Sequence, residues 1–126
     1  MIPYGKHHID EEDIKSVINV LKSDNLTQGP LIAVFEKEIS KYVGAKYSVV
    51  VTSCTAGLHM ASIVAKMHKG KVLLTSPITF VATANSSLFC GGETIFADID
   101  SSTINISTDN IEKVILENKV HAIAPV

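Results

Sequence analysis

The spacing of apolar residues divides the chain into two regimes. Up to Val43 it follows a helical period. Ile14, Val17, Ile18 and Leu21 recur at i, i+3, i+4 and i+7, which predicts an amphipathic helix over about Asp10–Lys22. Asp10 is a good N-cap, and Glu11, Glu12 and Asp13 place negative charge in the first turn. Ser23-Asp-Asn25 ends this helix, and Leu26-Thr-Gln-Gly-Pro30 is a polar loop. Pro30 suits the first position of a second helix, where a missing N–H costs nothing. Ile32, Phe35, Glu36, Ile39 and Val43 mark that helix, with Gly44 as its C-terminal cap.

After Gly44 short β-branched runs alternate with helical stretches. Tyr47–Val51 reads as a buried strand, followed by a helix from about Thr55 to Lys69 and a stop at Gly70. Leu58, Ala61, Ile63, Ala65 and Met67 make that helix apolar on more than one side, so it is expected to be well buried. Lys71–Thr75 is a second strand, Phe80 to about Phe89 a core helix, and Thr94–Ala97 a third strand. Asn105–Ser107 is a brief extended piece. Thr108 or Asp109 caps a last helix with Ile111, Val114 and Ile115 inward, and Val120–Val126 is a fourth strand. Alternation with short connections specifies an α/β fold of βαβ units: three layers, αβα, around a mainly parallel sheet covered on both faces.

Composition narrows the function classes. Hydrophobic residues make up 46% of the 126 residues and charged ones 19%, the opposite of a disordered chain. A net charge of −2 argues against a broad basic surface, so no nucleic-acid partner is expected. No apolar run approaches a membrane span, and the N-terminus lacks the apolar core of a signal peptide, so a cytoplasmic location is expected. Cys54 and Cys90 fit no metal or redox spacing, and the five histidines show no metal-ligand pattern.

The strongest chemical signal is Val51-Thr-Ser-Cys-Thr-Ala-Gly57. Small residues and three hydroxyls lie at a helix N-terminus beyond the carboxyl end of a strand. Open N–H groups and the helix dipole favour an anion there, although a Ser-capped helix that binds nothing has the same sequence. No Walker or Gly-x-Gly-x-x-Gly pattern is present. After the second strand comes Ser76-Pro-Ile-Thr-Phe80. An aromatic ring at such a junction can stack on a planar ligand, or simply pack in the core. Thr83 and Asn85 are read as structural. Asp98 and Asp100 are divided evenly between binding a ligand and capping a loop. His59 is read as structural, and His68 and His121 carry no signal.

Three segments in order, Ile2-Pro-Tyr-Gly5 through Leu26-Thr-Gln-Gly-Pro30, Thr52–Leu58 and Ser76–Asn85, resemble the DegT/DnrJ/StrS family of pyridoxal-phosphate-dependent nucleotide-sugar aminotransferases; Phe96-Ala-Asp-Ile-Asp100 also fits. The opening looks most like enzymes that aminate a UDP-linked 4-keto sugar on the way to pseudaminic acid. The resemblance implies the N-terminal part of the aspartate-aminotransferase (type I) large domain, in a homodimer with its active sites at the interface. It makes residues 1–126 one incomplete domain, with a helical arm and loop at 1–29 and the cofactor-binding part at 30–126. Ser53, Cys54, Thr55 and Ala56 match the turn that holds the phosphate of pyridoxal 5'-phosphate. Thr55 offers a hydroxyl there, and Cys54 and Ala56 only backbone N–H groups. Phe80 matches the ring that stacks on the cofactor's pyridine. Thr27 and Gln28 match a loop near the substrate or the second subunit.

The expected substrates are a nucleotide sugar and an amino acid, glutamate foremost. The family's Schiff-base lysine and its acidic partner for the pyridine nitrogen have no match here; Lys66, Lys69 and Lys71 match no catalytic position. No catalytic residue is therefore assigned, and the 126 residues alone are expected to be catalytically incompetent. A non-catalytic phosphate-binding or self-associating fragment, or part of a related sugar dehydratase, are the alternatives.

Overall fold

A computed structural model describes residues 5–126; the Ile2-Pro-Tyr part of the opening motif lies outside them. The chain forms two compact units, one up to Val50 and one from Val51 to Val126.

The first unit holds α1 (Glu11–Leu21) and α2 (Leu31–Val43). Helix α1 starts as its sequence demands. The Asp10 carboxylate accepts from the N–H groups of Glu12 (2.9 Å) and Asp13 (3.0 Å), and Asp13 accepts from the Asp10 N–H at 3.1 Å. This reciprocal capping box satisfies donors that the first turn would leave open. Pro30 stands at the N-cap of α2 rather than at its first helical position, and Gly44 closes it with φ +69°. The expected strand at Tyr47–Val51 does not form: no strand lies beside it among the described residues. Instead the segment is tethered to α2, with the Val50 N–H bonded to the Glu36 carboxylate at 2.9 Å and the Ser48 hydroxyl donating to the Glu36 carbonyl. Without a ladder, Tyr47 and Val49 remain exposed.

The second unit is built in the order α3 (Cys54–Val64), β1 (Val72–Thr75), α4 (Val81–Leu88), β2 (Glu93–Phe96), α5 (Thr108–Glu117) and β3 (Ala122–Ala124). Its sheet is parallel throughout, in the order β2-β1-β3, with Leu73 opposite Thr94 on one side and Ala122 on the other. Both faces of β1 are covered: the adjacent residues Leu73 and Leu74 point to opposite sides, and both are buried. Helix α4 lies over β1 and β2 and packs against α3, and the Thr94 hydroxyl donates to the Ala84 carbonyl at 2.8 Å. The Thr75 hydroxyl, fully buried, donates across to the Ala124 carbonyl at 2.7 Å. Ser107 caps α5, one residue before the expected cap, and accepts from the Asn110 N–H.

Helix α3 departs from expectation twice. It ends at Val64, several residues early, and Lys66 turns left-handed (φ +56°). The Met67 N–H reaches the Ser62 carbonyl and the Lys66 N–H the Ile63 carbonyl, which is the Schellman closure. Met67 is thus buried as the second residue after the Ala65 C-cap, not as part of the helix. The helix is also not well buried: Val64 is 81% exposed and Ile63 57%. Its apolar surface is real, but the described residues cover only the side that faces α4.

Helix α4 ends in the same closure, with Gly91 left-handed and the Gly92 N–H on the Ser87 carbonyl. A Cβ on Gly92 would stand 2.4 Å from the Ser87 hydroxyl and 3.1 Å from the Lys71 carbonyl. Gly92→Ala is expected to destabilise the second unit by about 1–3 kcal/mol, as overpacking does, and Gly5→Ala, with nothing within 4 Å, to stay within about 0.5 kcal/mol. Denaturant unfolding of the two variants checks the contrast.

Candidate functional site

The parallel sheet sets where a ligand can sit. The connection from β1 runs to β2 on one side, and the chain then returns past β1 to β3 on the other. Such a reversal opens a crevice at the carboxyl ends of the strands, the usual ligand position in open α/β sheets. The segment leaving β1 at that end is Ser76–Phe80. Ser76 is fully buried, and its hydroxyl oxygen accepts from the Ile78 N–H at 3.2 Å. The hydroxyls of Thr79 and Thr83 bond at 3.0 Å, and the Phe80 carbonyl accepts the Thr83 N–H. Thr83 is therefore structural, as its position suggests. These bonds fix Phe80 at the N-cap of α4, where the residue is 74% exposed. The ring does not enter the core.

The turn before α3 is capped by Ser53, whose hydroxyl oxygen accepts from the Ala56 N–H at 3.2 Å. The Ser53 carbonyl takes the Gly57 N–H. Cys54 and Thr55 occupy the first two helical positions, whose N–H groups have no carbonyl one turn earlier to bond. Of the two N–H groups that the sequence pointed to, that of Ala56 is thus engaged by the cap and that of Cys54 is open; the N–H of Thr55, expected to offer only its hydroxyl, is open as well. Ser53 accepts through its oxygen and keeps its own proton to donate. Cys54 is a free, exposed thiol.

No hydrogen bond or ring contact joins Phe80 to Ser53–Ala56; each stands at the N-terminus of one of two packed helices. Thr27 and Gln28 belong to the first unit. Gln28 is left-handed (φ +53°) and lines a cavity of about 620 Å³ with Ser16, Asn19, Asn25 and Leu26, while Thr27 is exposed outside that lining. His59 packs edge-on against Phe89, with ring centroids 5.5 Å apart.

The acidic pair after β2 caps a loop. Asp98 accepts from the Ile99 N–H through its carboxylate and from the Ser107 N–H through its carbonyl. Asp100 accepts from the Ser102 N–H (2.8 Å), the Thr103 N–H (2.9 Å) and the Ser102 hydroxyl. No group of metal-ligating side chains occurs among the described residues.

The profile of the DegT/DnrJ/EryC1/StrS aminotransferase family matches residues 7–126. The chain belongs to this family. The spore coat polysaccharide biosynthesis protein SpsC of Bacillus subtilis is 39% identical over 125 residues, 99% of this chain and 32% of that protein. A UDP-4-amino-4,6-dideoxy-N-acetyl-beta-L-altrosamine transaminase of Campylobacter jejuni is 37% identical over 94% of this chain and 31% of its own length. Among solved structures, Helicobacter pylori PseC, an aminotransferase of pseudaminic acid biosynthesis, superposes with a TM-score of 0.86 at 34% identity, covering 98% of this chain and 33% of that one. The putative sugar aminotransferase Spr1654 of Streptococcus pneumoniae gives 0.83 at 26% identity over 98% of this chain and 31% of that one. The chain thus spans about a third of the length of the curated relatives it matches. The α/β architecture read from the alternation of elements is that of these aminotransferases, and the motifs of the resemblance from Leu26 on lie within the matched span, while Ile2–Gly5 lies outside it.

Neither the Glu36 tether nor the bond from the Val72 N–H to the His121 ring was legible in the residues, since neither Glu36 nor His121 lies in a recognisable motif.

Two predictions follow from this geometry. Ser53→Ala removes the cap of α3 and is expected to cost about 1 kcal/mol in unfolding free energy, with Ser53→Asp close to neutral. The hydroxyl of Ser102, with the N–H groups of Thr103 and Ser102, holds Asp100 at about 2 instead of 3.8. Its contribution to stability is complete above pH 3.8 and is lost as pH falls through about 2. The Ser102 and Thr103 amide resonances should shift across that window in the wild type and stay constant in Asp100→Asn.

Proposed function

We propose that the chain is the N-terminal part of a pyridoxal-phosphate-dependent aminotransferase that moves an amino group from an amino acid, glutamate foremost, to a nucleotide-linked keto sugar. The observation that carries the reading is the N-terminus of α3, in a chain that the family profile matches from residue 7 to its last residue.

The residues fit the cofactor's phosphate. A phosphate dianion needs donors and no nearby carboxylate. Ser53–Ala56 offers two open N–H groups, the proton of the Ser53 hydroxyl, the Thr55 hydroxyl and the positive end of the α3 dipole. Phe80 offers an open ring of the kind that lies against a heteroaromatic plane. In this reading Ser53, Cys54 and Thr55 hold the phosphate, while Ala56, expected to join them, does not because its N–H is taken by the Ser53 cap, and Phe80 fixes the plane of the ring. When bound, pyridoxal phosphate supplies an electron sink for the amino acid's α-carbon.

The chain's own part is to bind and orient. Charge-assisted bonds at the α3 turn anchor one end of the cofactor, and Phe80 limits its rotation. No lysine is assigned to the covalent step, so residues 1–126 alone are not expected to turn over substrate. Thr27 and Gln28 face substrate or the second subunit of a homodimer in the complete enzyme. The names of the Campylobacter and Helicobacter relatives favour a UDP-linked 4-keto sugar as the acceptor.

The test uses the complete gene product with glutamate, a UDP-linked 4-keto sugar and pyridoxal phosphate. An amino sugar with one oxygen replaced by nitrogen, detected by mass spectrometry, is the expected product. Loss of a ring hydroxyl without gain of nitrogen would make the protein a dehydratase instead. In the same protein, Thr55→Ala is expected to weaken pyridoxal phosphate binding about tenfold or more, since a hydrogen bond to a charged group is worth about 1.5–3 kcal/mol. Binding of pyridoxal, which has no phosphate, should be unchanged.

A further inference from the structure

At the end of the sheet opposite the candidate site, β1 and β3 are joined by an unusual pair of bonds. The His121 N–H donates to the Val72 carbonyl at 2.9 Å, as a strand ladder requires. The Val72 N–H does not go to a backbone carbonyl. It donates to Nδ1 of the His121 ring at 3.1 Å. One residue therefore engages both polar groups of Val72, one through its backbone and one through its side chain. The side-chain bond exists only while Nδ1 carries no proton, because a protonated imidazole has no acceptor.

The surroundings favour that neutral ring. Three cationic or titratable groups face it, one from each adjoining segment: Lys71 before β1, Lys119 before β3, and His68 in the turn after α3. Glu93 lies across β1, at the register position opposite Val72. Loss of surrounding water lowers the His121 pKa below its usual 6.5, with Lys71, Lys119 and His68 adding to the effect and the Lys119 backbone opposing it.

We propose that His121 is a proton-sensitive latch that holds the start of β3 on β1, closed when the ring is neutral and released when Nδ1 takes up a proton. Among the described residues β3 is three residues long and pairs with β1, so its first contact with β1 contributes to its docking. Release at Val72 weakens the start of a pairing whose other end is the bond from Thr75 to the Ala124 carbonyl. The sign follows from the lowered pKa. The latch's contribution to stability is complete above pH 6.5 and is lost as pH falls through the lowered value.

Amide hydrogen exchange, corrected for the intrinsic effect of pH, tests this on the wild-type protein. Protection of the Val72 N–H and of Ala122–Ala124 should fall by up to about tenfold per pH unit below 6.5, while protection inside α4 stays level. His121→Asn puts a non-titrating oxygen near the place of Nδ1 and should abolish the pH dependence while keeping protection at neutral pH. If that variant fails to fold, the imidazole titration of the wild type, followed by NMR, decides the matter alone. A His121 pKa at or above 6.5, or Val72 protection that does not change with pH, overturns the proposal.

Discussion

The burial of β1 is the constraint on which the second unit depends. Among the described residues it is the one strand with a neighbour on each side and cover on both faces, and Leu74 and Thr75 have no exposed surface at all. Fully burying a Leu side chain is worth about 1.5–3 kcal/mol, but β1 contributes more through what it orders. Its start fixes Gly92 and His121, its middle seats α4 through the paired β2, and its end carries the Thr75 hydroxyl to β3. Outside β1, Met67, Ala82 and Ala97 are also buried, whereas Phe96 on β2 and Ile123 on β3 stay about half exposed.

The candidate chemistry lies where this strand stops. A parallel sheet gathers its loop ends on one edge, and the reversal of strand order around β1 leaves a crevice there. The Ser76 and Thr79–Thr83 bonds then hold Phe80 outside the core. An open aromatic ring gives up burial free energy, so its presence at a hydrogen-bonded helix start is more informative than a buried Phe would be. The α3 N-terminus adds a complementary property. Its cap satisfies one N–H and leaves two free, which is enough to hold an anion and too little to close the turn against one.

The sequence revealed these features unevenly. Both helices of the first unit, three of the strands and the order of helices in the second unit follow from apolar spacing and capping residues, because those patterns are local. The Gly44 end was legible since glycine adopts a left-handed turn without steric cost. The Val64 end was not, because Lys66 makes the same turn with an ordinary side chain. Tyr47–Val51 has the composition of a strand, but a strand also needs a partner, and the described residues supply none. The same non-local dependence hid His121, whose ring meets a backbone N–H 49 positions away. At the candidate site, residue types named Ser53, Thr55 and Phe80, while the division of N–H groups between cap and ligand needed coordinates.

The proposed role of α3 turns on where the phosphate of pyridoxal phosphate lies. A crystal structure of the complete protein with pyridoxal phosphate measures that directly. Phosphate oxygens are expected within hydrogen-bond distance of the Cys54 and Thr55 N–H groups and of the Ser53 hydroxyl, with the Phe80 ring against the pyridine. A phosphate held elsewhere, with the N-terminus of α3 left to solvent, would contradict it.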